Sequence, residues 1–252
     1  MYKKNTFHTL TNPIPTDKIT IMKPTIIVPA YNESAVIVDT LNTLKAYLVE
    51  NFDRHELIFV DDGSTDNTLE LAESIEGIEI LSYMQNRGKG HAIKYGVSQA
   101  TGDVVIFTDA DLAYSIGYIT TCINILKDKH VDVAIGSRYI KSKVAENHSP
   151  PRKLASRLFV WLVRFSLDLK FTDIQCGIKG FKAQAAQSLF SQLHTDGFGF
   201  DVELLALAQY KSLIVREFPV KMKASKNSKV RLVRDSFKMI GTIILTKWRT
   251  FI

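Results

Sequence analysis

The sequence predicts an α/β fold with a mainly parallel central sheet flanked by helices, and three observations carry that expectation. Short β-branched runs alternate with amphipathic segments over the first two thirds of the chain. Three of the four runs are almost unbroken apolar stretches, which suits strands buried on both faces. Polar residues follow every run, as expected where parallel strands end at one edge and ligands gather beyond their carboxyl ends.

The first run, residues 25–28, ends in Pro29-Ala30-Tyr31-Asn32-Glu33, and residues 34–52 then place Val36, Leu41, Leu44 and Leu48 at helical spacing. The second, residues 57–60, ends in Asp61-Asp62-Gly63-Ser64-Thr65-Asp66 and leads into a helix over 68–75, with Ser64, Asp66 or Asn67 as its cap. A glycine-rich basic loop, Asn86-Arg87-Gly88-Lys89-Gly90-His91, precedes a helix over 92–99. The third run, 104–107, stops at Thr108-Asp109-Ala110-Asp111, and the fourth, 131–135, at Gly136-Ser137-Arg138-Tyr139.

A chain of 252 residues, 46% of them hydrophobic, can fill one substantial core. The reading divides it into an N-terminal extension over 1–23, a catalytic domain over 24–230 and a basic amphipathic segment over 231–252. Two widely spaced cysteines, Cys122 and Cys176, make no disulfide framework or metal cluster and favour a reducing compartment. Residues 1–23 lack the apolar core of a signal peptide, and no stretch approaches the ~20 apolar residues of a spanning helix. Charge is divided: residues 1–137 carry 11 basic against 18 acidic side chains, and residues 211–252 carry 11 against 2. An acidic front and a basic rear suggest a cation site followed by a surface for anions.

Asp109 and Asp111 flank a small residue at a strand end, so both can face one hard cation. Mg²⁺ or Mn²⁺ held by one or two carboxylates fills its remaining positions with water and diphosphate oxygens, and its charge stabilises a departing diphosphate. Asp61 and Asp62 repel each other unless a partner is supplied, and a base or ribose hydroxyl would donate to Asp62, whereas Asp66 fits a helix cap. The basic loop and the helix behind it could meet phosphate. It lacks the Gly-Lys-Ser/Thr ending of an ATPase loop, and no Gly-x-Gly-x-x-Gly follows the first strand to suggest a dehydrogenase.

Taken together, Val-Pro-Ala-Tyr-Asn-Glu at 28–33, Val-Asp-Asp-Gly-Ser-Thr-Asp at 60–66, Asn-Arg-Gly-Lys-Gly at 86–90 and Thr-Asp-Ala-Asp-Leu at 108–112 resemble the inverting family 2 glycosyltransferases of the GT-A fold. Gly-Ser-Arg-Tyr at 136–139, Thr-Asp-Ile-Gln-Cys-Gly-Ile-Lys-Gly-Phe at 172–181 and Phe-Asp-Val-Glu-Leu-Leu at 200–205 extend the resemblance to the polyprenyl-phosphate branch, its dolichyl-phosphate glucosyl members above all. The resemblance implies that Pro29, Tyr31, Glu33 and Asp62 hold the nucleoside, that Lys89 lies near base or sugar, and that Asp109 and Asp111 hold the metal and diphosphate. It implies that Arg138 meets anionic groups, and that Gln175, Asp201 and Glu203 line the sugar and acceptor side. Mannosyl members often carry a metal-binding Gln where this chain has Ala113, which moves the implied donor from GDP-mannose toward UDP-glucose.

Two segments speak for a membrane surface. Residues 153–167 set Lys153, Arg157 and Arg164 along one stripe with Phe159 and Trp161 beside them, and residues 226–249 interleave seven basic residues with aliphatic ones. Nucleic acid is the rival partner, but no stacking platform or base-reading motif accompanies the charge. The expected reaction is attack by a polyprenyl phosphate on the anomeric carbon of a UDP-hexose with inversion, the acceptor phosphate bound by Arg138, Arg152 and Lys229, on the cytoplasmic face of a membrane. A hydroxyl acceptor would instead need Asp201 or Glu203 as base, and a nucleotide-sugar sensor without turnover would share the same pocket.

Overall fold

The computed structural model describes residues 22–140, 166–197 and 199–223. Among the described residues the elements in chain order are β1 (Pro24–Ala30), α1 (Ile37–Asn51), β2 (Glu56–Asp61), α2 (Thr68–Glu73), β3 (Glu79–Ser82), α3 (Lys89–Gln99), β4 (Val104–Phe107), α4 (Tyr118–Leu126), β5 (Val133–Ser137), β6 (Lys179–Lys182), α5 (Ala183–Phe190), α6 (Phe200–Tyr210) and β7 (Val215–Pro219). The sheet order is β3-β2-β1-β4-β6-β5-β7. All pairings are parallel except those of β6, which runs antiparallel to both β4 and β5. Because β6 reverses twice over, β5 points the same way as β4, so the ends of β1, β2, β4 and β5 share one edge with the start of β6. This is the mainly parallel GT-A architecture.

Period-two alternation fixes the two layers. Ile27, Ile58, Val60, Val105, Phe107 and Phe181 pack with α3, α5 and α6 on one face. Ile26, Val28, Phe59, Val104 and Ile106 pack with α1 and α4 on the other. Complete burial of such side chains contributes about 1.5–3 kcal/mol each, so both faces of the central strands are anchored and their ends are held rigidly.

Pro29 sits inside a central strand, where proline is normally excluded. In this register Ile27 bonds toward β4 through its carbonyl and the Thr108 amide, whereas Ala30 bonds toward β2 through the Asp62 amide. The missing amide of Pro29 therefore faces the β4 side, and β4 has already ended at Phe107, opposite Ile27. The proline thus falls where the ladder to β4 is ending.

Several expectations shift. The fourth run forms β5 at Val133–Ser137 rather than 131–135. Helix α3 starts at Lys89, so half of the expected basic loop is its first turn. Strands β3, β6 and β7 went unread: β3 is short and half-exposed, and β6 carries two lysines and a glycine among its four residues. The amphipathic segments 153–167 and 226–249, with Arg152 and Lys229, lie outside the described residues, apart from Ser166 and Leu167. Among the described residues no helix is long and apolar enough to cross a membrane.

Candidate active site

Each strand end is fastened to the common edge by a different device. After β1, Asn32 adopts a left-handed backbone (φ 54°) and its side-chain oxygen accepts the Thr65 and Asp66 amides at 2.8 and 3.3 Å, tying this loop to the one after β2. The Glu33 carbonyl accepts the Val36 and Ile37 amides and so starts α1. Tyr31, beside it, is exposed at the edge. Of the three residues the sequence offered as a cap for α2, Asn67 is the N-cap, and Asp66 just before it accepts the Thr68 amide at 3.0 Å.

The carboxylates after β2 divide their tasks in an unforeseen way. Buried Asp62 accepts the Tyr83 hydroxyl at 2.8 Å, the Asn86 side-chain amide at 2.9 Å, and the backbone amides of Arg87 and Gly88 at 2.8 and 2.9 Å. The donors sought for Asp62 in a nucleoside are thus supplied by the protein's own 83–88 loop, and Asp62 shapes the site through that loop. Asp61 is equally buried, yet only one of its oxygens is met, by the Ser64 amide at 2.9 Å. The other, Oδ1, has no partner among the described residues. A buried acceptor left unmet costs about 1–3 kcal/mol, so this oxygen, rather than those of Asp62, awaits a donor.

The loop held by Asp62 delivers α3. Gly88 at φ 109° leaves no room for a side chain, because a Cβ would meet the Asp196 carbonyl at 2.6 Å. That carbonyl also accepts the His91 amide at 3.1 Å. Residues 194–197 therefore cover part of the helix N-terminus that the sequence offered to phosphate. What α3 presents to the edge is Lys89.

The acidic triplet occupies a turn pinned from three sides. The Thr40 hydroxyl of α1 donates to the Ala110 carbonyl at 2.6 Å, the Leu112 amide returns to the Asp109 carbonyl at 3.1 Å, and the Ala113 amide donates to Asp111 at 3.0 Å. Leu112 is held at φ 44°, a left-handed conformation that costs a non-glycine residue roughly 1–2 kcal/mol. Asp111 is exposed, whereas Asp109 is paired with the Lys89 ammonium. Burial alone would push the Lys89 pKa down; Asp109 and Asp201 together reverse that and hold it above its ordinary value. Gly177 lies against the Asp109 carboxylate so closely that a Cβ there would overlap it.

A second lysine stands behind. Lys179, fully buried at the start of β6, donates to Asp201 at 2.6 Å and to the Cys176 carbonyl at 2.7 Å, with its ammonium 5.5 Å from the Phe107 ring centre. Burial pushes the Asp201 carboxyl above its usual range, against the pull of Lys179 and Lys89. The sequence reading missed Lys179, although a lysine inside Ile178-Lys179-Gly180-Phe181 signals a buried partner, since lysine is almost never fully buried unpaired.

Arg138 and Glu203 are committed within the fold. The Arg138 guanidinium grips buried Asp173 in a fork at 2.7 and 2.9 Å, and the Arg138 amide adds a third bond at 3.0 Å. Burial would raise the Asp173 carboxyl, but Arg138 overrides it and holds the group below the usual carboxylate range. Asp173 also accepts the Gln175 amide at 3.2 Å, fixing the loop that carries Gln175 and Gly177. Glu203, two residues from Asp201 and so on another face of α6, accepts the His194 and Thr195 amides at 3.1 and 2.8 Å. The expected Asp201/Glu203 pair is therefore split: Asp201 joins the lysines, and Glu203 anchors the 194–197 loop.

Asp109 and Asp111 suit a hard divalent cation that takes two carboxylates from one turn and its remaining oxygens from phosphate and water. No group of three or more His, Cys, Asp or Glu side chains gathers among the described residues, which is consistent with that donor set rather than with an all-protein cage.

The profile of glycosyl transferase family 2 matches residues 25–190, from the start of β1 to the end of α5. The chain belongs to glycosyl transferase family 2. It is 33% identical over 244 residues to the dolichyl-phosphate beta-glucosyltransferase of Saccharomyces cerevisiae, covering 88% of this chain and 73% of that one. The human dolichyl-phosphate beta-glucosyltransferase is 31% identical, with 81% and 68% covered. The glycosyltransferase AglD of Haloferax volcanii is 32% identical over 89% of this chain but only 37% of its own length. In fold, the chain resembles glucosyl-3-phosphoglycerate synthase from Mycobacterium tuberculosis, solved with Mn²⁺, UDP and glucosyl-3-phosphoglycerate, at a TM-score of 0.69, 20% identity and coverage of 89% and 80%. Within this family 2 chain, Lys89, the Asp109–Asp111 turn, Arg138 and Gln175 fall inside the matched stretch, and Asp201 and Glu203 fall beyond it.

Proposed function

We propose that this family 2 glycosyltransferase moves glucose from UDP-glucose to a polyprenyl phosphate of the dolichyl type, with inversion at the anomeric carbon. The Asp109–Asp111 turn carries the reading: two carboxylates, one exposed and one against a lysine, stand at the edge where four strand ends meet. The names of the yeast and human relatives support the acceptor and the sugar, and the UDP in the related fold supports the nucleotide.

The nucleoside would lie over the β1 and β2 ends, against Pro29, Tyr31 and Glu33, with Asp61 Oδ1 accepting a donor from the base. Asp62 would act by holding the 86–88 loop in place. Asp109 and Asp111 would hold Mg²⁺ or Mn²⁺, which supplies charge stabilisation for the diphosphate. Lys89 would orient the donor, and Gln175 would face the sugar. An acceptor phosphate is already ionised at neutral pH, so its oxygen can attack the anomeric carbon as the bond to the diphosphate oxygen breaks and UDP leaves with the electron pair. Arg138, Arg152 and Lys229 would bind that phosphate, Arg138 with the part of its guanidinium not engaged by Asp173. The basic segments would keep the enzyme on the cytoplasmic surface of the membrane.

One observation favours a second reading. Asp201 lies close enough to Lys89 at the site edge to act on its charge and is a candidate general base, which only a hydroxyl acceptor needs. Transfer from labelled UDP-glucose with Mn²⁺ to a short polyprenyl phosphate, and to its dephosphorylated alcohol, separates the two. Product from the phosphate is expected, and product from the alcohol alone refutes the proposal. GDP-mannose in the same assay tests the sugar, and nucleotide binding without any turnover would establish a sensor.

A further inference from the structure

Lys89 holds the carboxylate that the proposed metal would use. Its ammonium is paired with Asp109 Oδ1, and the two side chains are only 19% and 29% exposed. A divalent ion arriving at Asp109 must therefore displace a resident cation. The displaced ammonium has few alternatives nearby. Asp201, the other carboxylate acting on it, is already bonded to buried Lys179, and Gly177 closes the other side of Asp109. A nucleoside diphosphate would relieve both constraints, because its oxygens complete the metal's shell and give the ammonium a new anion.

We infer that Lys89 is a built-in competitor for the metal, making divalent-ion binding at Asp109 conditional on the nucleotide diphosphate. The inference rests on the metal reading above and adds a coupling to it: the ion binds much more tightly when the nucleotide diphosphate is present. Linkage requires the converse too, so the ion tightens the nucleotide by the same factor.

The test is Mn²⁺ titration of the full chain, followed by calorimetry and by the electron-spin signal of free Mn²⁺, with and without UDP. Wild type should bind Mn²⁺ weakly alone and much more tightly with UDP. Lys89→Met should bind Mn²⁺ alone about tenfold more tightly, the order expected for removing a unit charge beside a divalent ion in a partly screened site. The gain brought by UDP should shrink by a similar factor. Lys89→Gln, which also lacks the charge, replaces the Met variant should that one not fold. Lys94→Met, on the same helix with its ammonium on the Leu193 carbonyl at 2.7 Å, should match wild type. Unchanged Mn²⁺ affinity in Lys89→Met or Lys89→Gln without UDP, or an equal gain in Lys94→Met, overturns the inference while leaving the metal reading intact. No Mn²⁺ binding by wild type even with UDP would overturn the metal reading and this inference with it.

Discussion

Two acidic strand ends sit side by side on one sheet edge and are built to opposite purposes. After β2, Asp62 is surrounded by donors from residues 83–88, four groups of the protein's own chain. After β4, Asp109 has one lysine and Asp111 one backbone amide. Saturation by neutral donors makes a carboxylate a structural pin, since every lone pair is committed in the folded state. A carboxylate facing a single ammonium keeps its capacity for an incoming cation. The difference teaches that an acidic pair is assigned to structure or chemistry by the donors around it, and that the pair's sequence does not decide.

The largest effect that tests this contrast is on turnover. Asp109→Asn and Asp111→Asn should each lower glycosyl transfer by about 10²–10³, the scale of losing one preorganised electrostatic stabiliser, while the melting temperature stays near wild type. The next largest effect is on stability and falls on the buried pair behind the site. Lys179→Met leaves Asp201 buried without its partner and should cost about 3–5 kcal/mol of unfolding free energy, read from the denaturant midpoint. Adding Asp201→Asn to it should restore part of that loss. Asp62→Ala comes third, at about 2–3 kcal/mol for donors stranded around a lost carboxylate. It should also raise the KM for the donor sugar, because the 86–88 loop is released. If Asp62→Ala instead melted like wild type and lost only turnover, the contrast between the two strand ends would collapse.

Much of this was legible in the sequence, for reasons that can be stated. Apolar runs marked β1, β2, β4 and most of β5, since burial on both faces leaves a compositional trace. The triplet was legible because Ala110, between two aspartates at a strand end, has few structural uses. What the sequence did not reveal is partnership across distance. Asp62 meets donors more than twenty residues away, Arg138 meets Asp173 35 residues on, and the lysine that pairs with Asp201 sits 22 residues before it. Residues 61 and 62 read identically as DD, yet the β2 pleat and the 83–88 loop give four donors to Asp62 and leave Asp61 with the Ser64 amide alone and one oxygen unmet among the described residues. Asp201 and Glu203 read as a pair, but two residues along a helix turn about 200°, which sends them to different loops.

The smallest expected effect is the pH dependence of the fork between Arg138 and Asp173, and that dependence appears only in acid. Arg138 holds the folded Asp173 carboxyl below its ordinary value despite burial, so folding favours the ionised form. The resulting stability is fully present above the unfolded carboxyl's pKa, about 3.9. It is lost as pH falls through the lower, folded value. Asp173→Asn removes this titration along with the ion pair. The stability gap between wild type and Asp173→Asn should therefore be greatest and flat near neutral pH, and should narrow only below the usual carboxylate range. Urea midpoints for the two proteins from pH 7 down to pH 3 check this. A gap that narrowed between pH 7 and 5 would assign the pH dependence to another group and would leave Arg138 with a looser hold on Asp173 than the 2.7 and 2.9 Å fork implies.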